Sequence, residues 1–566
     1  MNQKIKEKIR TGIVAGLKEL TAAKKWELAA LPDVELELPR EAAHGDLSSN
    51  IAMVLTKLVK VPPRELAQQL MTLLESQNIF PKDFVDKITI AGPGFLNFYL
   101  SQAILYEELQ EVLQKGARYG QADEPKKEKI HIEFVSANPT GPLNVVSARA
   151  AAVGDTLARL LAAVGYSVHK EFYVNDAGNQ VRLLGKSVEA RFRELAGETV
   201  AFPEEGYHGH YIIEIARQLQ GKYGREALTW PQEKREEIFG RDAIEINLKG
   251  QKEALKQYRV EYDRWFSEKE MRERPDGPLQ KVREHLEDWN TTYEKEGALW
   301  FASTGFGDDK DRVLVTQAGE PTYFFSDVAY HKDKVARGFD QMIVLLGPDH
   351  HGYYPRVLAA MEAMGYARDR FEFRLVQQVN LMQGGETVKM SKRAGKLIEM
   401  NELLDEVGVD AARYFFLLRK LDTPLDFDLD LAREHSNNNP VYYVQYAHAR
   451  IVSIFAKYRE ETGEKVPLNW SACDLTRLKE KEEVALIKLL VHFPSLIEGA
   501  AAAREPLRVP NYLKELCATF HSFYTQHRVR VEDKALCSAR LALIEATRVV
   551  IHNGLALLGV SSPDKM

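Results

Sequence analysis

The sequence predicts a doubly wound α/β domain built on a parallel sheet, with an N-terminal α+β unit before it and a C-terminal α-helical bundle after it. Three observations carry this reading. Residues 129–135, 145–164 and 167–174 run strand, helix, strand at the spacing of a βαβ unit. Further short apolar strands recur at 342–346 and 373–379. From about Leu403 onward the apolar residues keep helical spacing. Val441, Val444, His448, Ile451 and Phe455 form one such series, and Ile544, Thr547, Ile551, Leu555 and Leu558 another.

Taken in order, residues 1–115 form the first unit. It opens on an amphipathic helix marked by Ile5, Ile9, Ile13 and Leu17, and closes near Gly92-Pro93-Gly94 and a strand at 95–100. Residues 121–127 are polar and interrupted by Pro125, which reads as a linker. The α/β domain occupies 126–400. In it, Asn138-Pro139-Thr140-Gly141-Pro142 makes a turn and Gly165 caps the following helix. A charged stretch at about 180–300, with long helices such as 251–274, reads as an insertion whose charge is a solvated face. Residues 401–566 form the helical bundle.

The 566 residues suffice for three or four domains, and 45% hydrophobic with 28% charged residues is ordinary soluble composition. No unbroken apolar run approaches the ~18 residues of a membrane span. The charged first ten residues leave no signal-peptide core. Cys473, Cys517 and Cys537 lie far apart without a CxxC, so a disulfide framework and a cysteine zinc site are excluded, and a reducing cytoplasm fits. The net charge of −6 excludes a chain that grips nucleic acid by bulk charge alone, although residues 430–566 carry 18 basic against 16 acidic side chains.

Two segments carry chemistry. There is no GxxxxGK[ST], and no GxGxxG follows the first strand. Yet the turn at 136–143 sets a helix N-terminus at the carboxyl end of a parallel strand, where α/β sheets bind anions. Lys389-Met390-Ser391-Lys392-Arg393, after Gly384-Gly385, puts three cations on one loop, which suits a polyphosphate. A basic surface turn is the plain alternative.

Together these segments resemble the two signature regions of class I aminoacyl-tRNA synthetases, and the longer context resembles bacterial arginyl-tRNA synthetases. The resemblance runs through Glu133-Phe134-Val135-Ser136-Ala137-Asn138-Pro139-Thr140-Gly141-Pro142-Leu143, Gly347-Pro348-Asp349-His350-His351-Gly352-Tyr353 and the lysine loop. It continues through Asp426-Phe427-Asp428-Leu429-Asp430-Leu431-Ala432, the stretch from Asn439 to Arg450, and His44-Gly45-Asp46-Leu47. It implies a Rossmann-like catalytic domain that joins arginine to its tRNA at the expense of ATP, with Mg²⁺ beside the phosphates and no tightly bound cofactor. It further implies a cytoplasmic monomer with no membrane or DNA partner.

By the same resemblance, Glu133, Ser136 and Asn138 bind arginine together with Tyr323 and Asp327, and Asp349 and His350 line the pocket. A planar, donor-rich guanidinium favours such carboxylates and a flat aromatic face. His350-His351 has no evident third ligand, so a metal site is not read there. Lys392 and Lys389 would meet the β- and γ-phosphates. His44, Asp46, Tyr442, Tyr443, Gln445, Tyr446, His448 and Arg450 would contact tRNA, the aromatic residues offering faces for unstacked bases.

The departure is at the first signature. Where the family reads His-Val-Gly-His-Ala-Arg-Gly, this chain reads Asn144-Val145-Val146-Ser147-Ala148-Arg149-Ala150. Both phosphate-binding histidines are gone, and Val146 stands where a glycine would admit the nucleotide. The expectation is adenylate formation strongly impaired at Asn144, Val146 and Ser147, with a residual pull on anions from the helix N-terminus. A fully active synthetase with a variant nucleotide site, and a non-catalytic tRNA-binding protein, stand as alternatives.

Overall fold

The computed structural model describes residues 3–37, 39, 44–348, 352–388, 398–463 and 469–566. At its centre lies a five-stranded sheet, all parallel. Its order across the sheet is Phe371–Leu375, Gln341–Leu346, Lys129–Glu133, Ser167–Val174, Arg264–Ser267. The first of these five strands in chain order, Lys129–Glu133, is therefore the middle one. The connections leave it in one direction to Ser167–Val174 and return on its other side at Gln341–Leu346. That reversal opens a crevice at the carboxyl ends, beyond Glu133 and Val344, which are register partners.

The two faces of this sheet are built differently. Ile130, Ile132 and Phe134 point to one face, against the helix Val145–Ala163. That helix comes very close. A Cβ on Gly154 would stand 2.2 Å from the Phe134 ring, so only glycine lets the backbone rest there. His131 and Glu133 point to the other face, against the helix Tyr323–Ala336, and there the packing is polar. Glu171 accepts from the Tyr330 hydroxyl at 2.8 Å and from both terminal nitrogens of Arg337 at 2.6 and 2.8 Å, with His131 Nε2 at 3.1 Å. Burial, reinforced by the charge of Lys334, pushes the His131 imidazole down to about 3. Burial works to raise the Glu171 carboxyl, but these donors prevail and hold it far below the usual carboxylate range.

The sequence-based ranges shift in places. The charged stretch is not one insertion. Helices Asn179–Leu195, His210–Tyr223 and Gln232–Gln257 leave the sheet, and the chain then returns to its edge as Arg264–Ser267. The long helix predicted over 251–274 stops at Gln257, because Tyr258 and Val260 turn into the core around Arg259, whose φ is 61°. A three-stranded antiparallel sheet, Thr292–Lys295, Ala298–Phe301 and Arg312–Val315, forms a second excursion. The strand predicted over 373–379 is two, Phe371–Leu375 and Val379–Gln383, the latter in a small separate sheet beside Leu425–Asp428.

The N-terminal unit packs helices Gln3–Lys24, Ile51–Val59 and Pro63–Ser76 on a three-stranded antiparallel sheet. Ile5, Ile9, Ile13 and Leu17 are all buried in it. The C-terminal bundle comprises Pro440–Thr462, Lys481–Ala503, Arg508–Gln526 and Lys534–Leu558. Contrary to the sequence reading, Lys481–Ala503 and Lys534–Leu558 are long and apolar enough to cross a membrane. Their alanines and isolated polar residues hide this from a search for unbroken apolar runs. In Lys534–Leu558, 72% of the most apolar window is buried against the other helices, which is the pattern of a core helix.

Candidate functional site

Glu133, Ser136, Tyr323 and Asp327, four of the arginine-pocket residues implied by the resemblance, converge at the crevice. Glu133 ends the middle strand, and the next two residues have positive φ, 70° at Val135 and 41° at Ser136. A β-branched residue in that region costs of order 1–3 kcal/mol, and such strain gathers where a side chain must be aimed. Here it turns the chain so that the Ser136 hydroxyl donates to Glu133 Oε1 at 2.9 Å and accepts from the Tyr173 amide at 3.2 Å. Opposite, Thr322 caps the helix Tyr323–Ala336, accepting from the Phe325 amide. Tyr323 and Asp327 sit one turn apart on the same side. Tyr323 is 46% exposed, with its ring 5.6 Å from that of Tyr353. Burial works to raise the Asp327 carboxyl, but His331, whose Nδ1 lies 3.2 Å away, outweighs it. Lys334 and the hydrogen-bonded Tyr353 hydroxyl add to this, and the group sits below its ordinary value.

Several groups at this site escaped sequence reasoning. Lys334, wholly buried, donates to Glu133 Oε2 at 2.7 Å. Its position two turns beyond Asp327 on one helix was the available signal. Glu268, buried and paired with Arg272 at 2.5 Å, lies beside Tyr173 and Tyr323. Asn138 has its side chain exposed, while its backbone is fixed from outside the sheet. Gln251 donates to the carbonyls of Asn138 and Gly141, Asn247 to that of Pro139, and the Tyr211 hydroxyl to that of Thr140. The stretch read as a mere charged insertion thus braces the turn.

The altered signature begins the helix Val145–Ala163. Asn144 is its N-cap. Its side-chain oxygen accepts from the amides of Val146 at 3.0 Å and Ser147 at 3.1 Å, and the Ser147 hydroxyl points to the same oxygen at 3.3 Å. Two of the amides at this helix end, those of Val146 and Ser147, are therefore already engaged by a side chain of the chain itself. Val146 is half-buried over this end. The turn also meets the segment that follows the lysine loop. Met400 donates its amide to the Leu143 carbonyl at 2.8 Å, and Asn144 bridges Glu399. Arg149 is fully buried and donates to the carbonyls of Gln377, Gln378, Lys420 and Thr423. Lys389, Lys392, Asp349 and His350 lie outside the described residues.

The residues that the resemblance implies contact tRNA divide. Tyr442, Tyr443 and Tyr446 are half-buried and Arg450 is exposed on the helix Pro440–Thr462. Tyr442 stacks on Tyr446 at 6.3 Å, Tyr443 and Tyr446 flank His521, and Arg450 lies over Tyr524. Gln445 and His448, in contrast, are buried. Gln445 donates to Asp410 and to the Ser561 carbonyl, and His448 Nδ1 lies 3.1 Å from the Pro563 carbonyl. They hold the C-terminal segment and present no edge to a base. Asp46 is likewise buried, accepting from the Leu100 amide and paired with Lys488 of the bundle at 2.9 Å. His44 beside it is exposed.

Residues 108–207 and 253–417 match the family model described as the catalytic domain of class I (R) tRNA synthetases. Residues 7–100 match the arginyl tRNA synthetase N terminal domain, and 444–566 the DALR anticodon binding domain. The chain is 46% identical over 558 residues to the arginine–tRNA ligase of Carboxydothermus hydrogenoformans, covering 98% of this chain and 99% of that one. It is 46% identical over 564 residues to the arginine–tRNA ligase of Shouchella clausii, covering 99% of each.

The chain belongs to the arginyl-tRNA synthetase family.

Among solved structures, a putative arginyl-tRNA synthetase from Campylobacter jejuni matches with a TM-score of 0.76 at 37% identity, covering 82% of this chain and 100% of that one. The Thermus thermophilus arginyl-tRNA synthetase shares the fold at a TM-score of 0.75 and 21% identity, covering 99% of each chain. The family's catalytic model passes over residues 208–252, the stretch that supplies Tyr211, Asn247 and Gln251 to the turn.

Proposed function

We propose that this chain is an arginine–tRNA ligase whose first step is slow. That step is attack of the arginine carboxylate on the α-phosphate of ATP, giving arginyl-adenylate and pyrophosphate. The second passes arginine to the 3′ end of its tRNA and releases AMP. The family membership and the assembled pocket support the overall reaction. The slowing rests on one observation, the Asn144 side chain capping Val146 and Ser147.

In this reading Asp327 and Tyr323 receive the guanidinium end of arginine, Glu133 lines the amino-acid site beside them, and the strained turn at Val135-Ser136 aims the strand end toward it. ATP lies across the crevice, against the N-terminus of the helix Val145–Ala163. Charge builds on its phosphates as pyrophosphate leaves, so donors fixed there beforehand lower the barrier, each by ~10²–10³ in rate. At this turn the donors face Asn144 instead, and the Val146 side chain occupies space beside them. Lys392 and Lys389 are left to meet the phosphates. Mg²⁺ would arrive with ATP. Phosphate oxygens and water would supply most of its ligands. The stacked Tyr442, Tyr443 and Tyr446 with Arg450 would hold unstacked anticodon bases. We read the chain as a cytoplasmic monomer whose domains fall near 1–115, 126–400 and 401–566.

The test is arginylation by the purified chain beside a variant carrying Asn144→His, Val146→Gly, Ser147→His and Ala150→Gly. The reading expects tRNA binding in both and at least ~100-fold faster charging by the variant. Equal charging by the two would remove the claim of a slow first step.

A further inference from the structure

The pocket holds more negative charge than one arginine would neutralise, and it carries its own counter-charge. Glu133 and Lys334 are 8% and 0% exposed at their side chains and pair at 2.7 Å. The Lys334 ammonium also lies 4.0 Å from the centre of the Tyr330 ring, which is buried. Glu133 Oε1 is held by Ser136. Glu268 has Arg272. Asp327 alone of the three carboxylates has an imidazole and a phenol for partners; among the described residues no lysine or arginine stands at ion-pair distance from it, and the Lys334 charge acts on it only from farther off.

We infer that Lys334 is a resident cation that sets the specificity of this pocket: it occupies Glu133 permanently, leaving Asp327 as the carboxylate that selects a cationic side chain. The inference rests on reading the crevice as the arginine site. Glu133 then acts as a fixed hydrogen-bond acceptor and a strut between sheet and helix, not as the charge that recognises arginine. Lys334 is a positioning residue, since it reaches the ligand only through Glu133. The physical basis is that a buried carboxylate already paired with an ammonium is largely neutralised toward a second cation, whereas removing one member of such a pair leaves the other as an uncompensated buried charge.

This gives a pattern of arginine affinities that a purely structural Lys334 would not produce. The measurement is calorimetric titration of L-arginine into the full-length chain without ATP. Four proteins are compared: the unmodified chain, Glu133→Gln, Asp327→Asn, and the double variant Glu133→Gln with Lys334→Met. Glu133→Gln leaves the Lys334 charge unpaired beside the site and should weaken arginine by ~100-fold. Asp327→Asn removes the selecting charge and should cost a similar factor. The double variant restores the charge balance and should bind within about 10-fold of the unmodified chain.

Failure of the double variant to recover affinity over Glu133→Gln would overturn the inference, because Glu133 would then be touching the guanidinium itself. Where Glu133→Gln does not fold, the unmodified chain and the double variant decide alone. Affinity within 10-fold supports the inference, and a ~100-fold loss overturns it. No binding of arginine to the unmodified chain would instead overturn the reading of the pocket, a result separable from the first.

Discussion

The signature turn and the proposed arginine pocket lie in one crevice, yet they treat their polar groups in opposite ways. At the turn, the Asn144 side chain takes up the amides of Val146 and Ser147, and the helix end closes on itself. In the pocket, strain at Val135 and Ser136 and buried pairs beneath keep Asp327 and the 46%-exposed Tyr323 turned outward. Both regions are well formed as structure; the turn engages two of its amides internally, whereas the pocket leaves the Tyr323 ring and the Asp327 carboxylate at the crevice. An asparagine N-cap is worth ~1 kcal/mol to a helix, and that gain comes from engaging the amides of Val146 and Ser147 that a phosphate would otherwise meet.

The comparison would be broken first by finding that the turn is not a structural element at all. Arg149, in the same turn of helix, gives hydrogen bonds to four carbonyls from a fully buried position. Arg149→Met should lower the unfolding free energy in urea by ~3–5 kcal/mol. A change under ~1 kcal/mol would mean those loops are held by something else.

The tRNA surface sharpens the contrast between open and closed groups. Tyr446→Ala should weaken arginine tRNA by ~1–3 kcal/mol in a fluorescence titration, through lost base stacking. Substitution of buried His448 by Gln should leave tRNA affinity within a few-fold and lower thermal stability instead. Equal effects of the two on tRNA affinity would contradict the division.

Beneath the pocket, His131 is wholly buried and neutral, pushed down from 6.5 to about 3. In the unfolded chain it takes up a proton below about 6.5, whereas the folded chain refuses it. Its stabilising contribution is therefore complete above pH 6.5 and is lost as pH falls toward 3, by at most ~1.4 kcal/mol per pH unit. His131→Asn should flatten the fall in stability between pH 7 and 5. Parallel curves for the two proteins would exclude this source. The smallest effect is expected at the brace. Gln251→Ala should cost ~1 kcal/mol in stability and weaken arginine by several-fold through a loosened Asn138 turn.

Much of this architecture was legible in the sequence. The strand Ser167–Val174, the helix start at Val145 and the buried series in the terminal helices follow directly from period and capping signals. Tyr323 and Asp327 declared their shared face by a spacing of four. Lys334 continues that face, but nothing local says that a lysine will be buried; only the Glu133 opposite, some two hundred positions away, makes it so. The same holds for Tyr211, Asn247 and Gln251, which read as solvated helix residues until the turn's carbonyls are in place. His448 stood in both the apolar helical series and the tRNA series, and its spacing was the better guide than its chemistry.

The most direct test of the self-satisfied turn is a pair of calorimetric titrations with ATP, one on the unmodified chain and one on the Asn144→His, Val146→Gly, Ser147→His, Ala150→Gly variant, each followed by an arginylation assay. The account predicts arginine binding in both, with ATP binding more tightly and charging at least ~100-fold faster in the variant. Equal ATP affinity and equal charging would contradict it, and would mean that the capped helix end was never what held the phosphates.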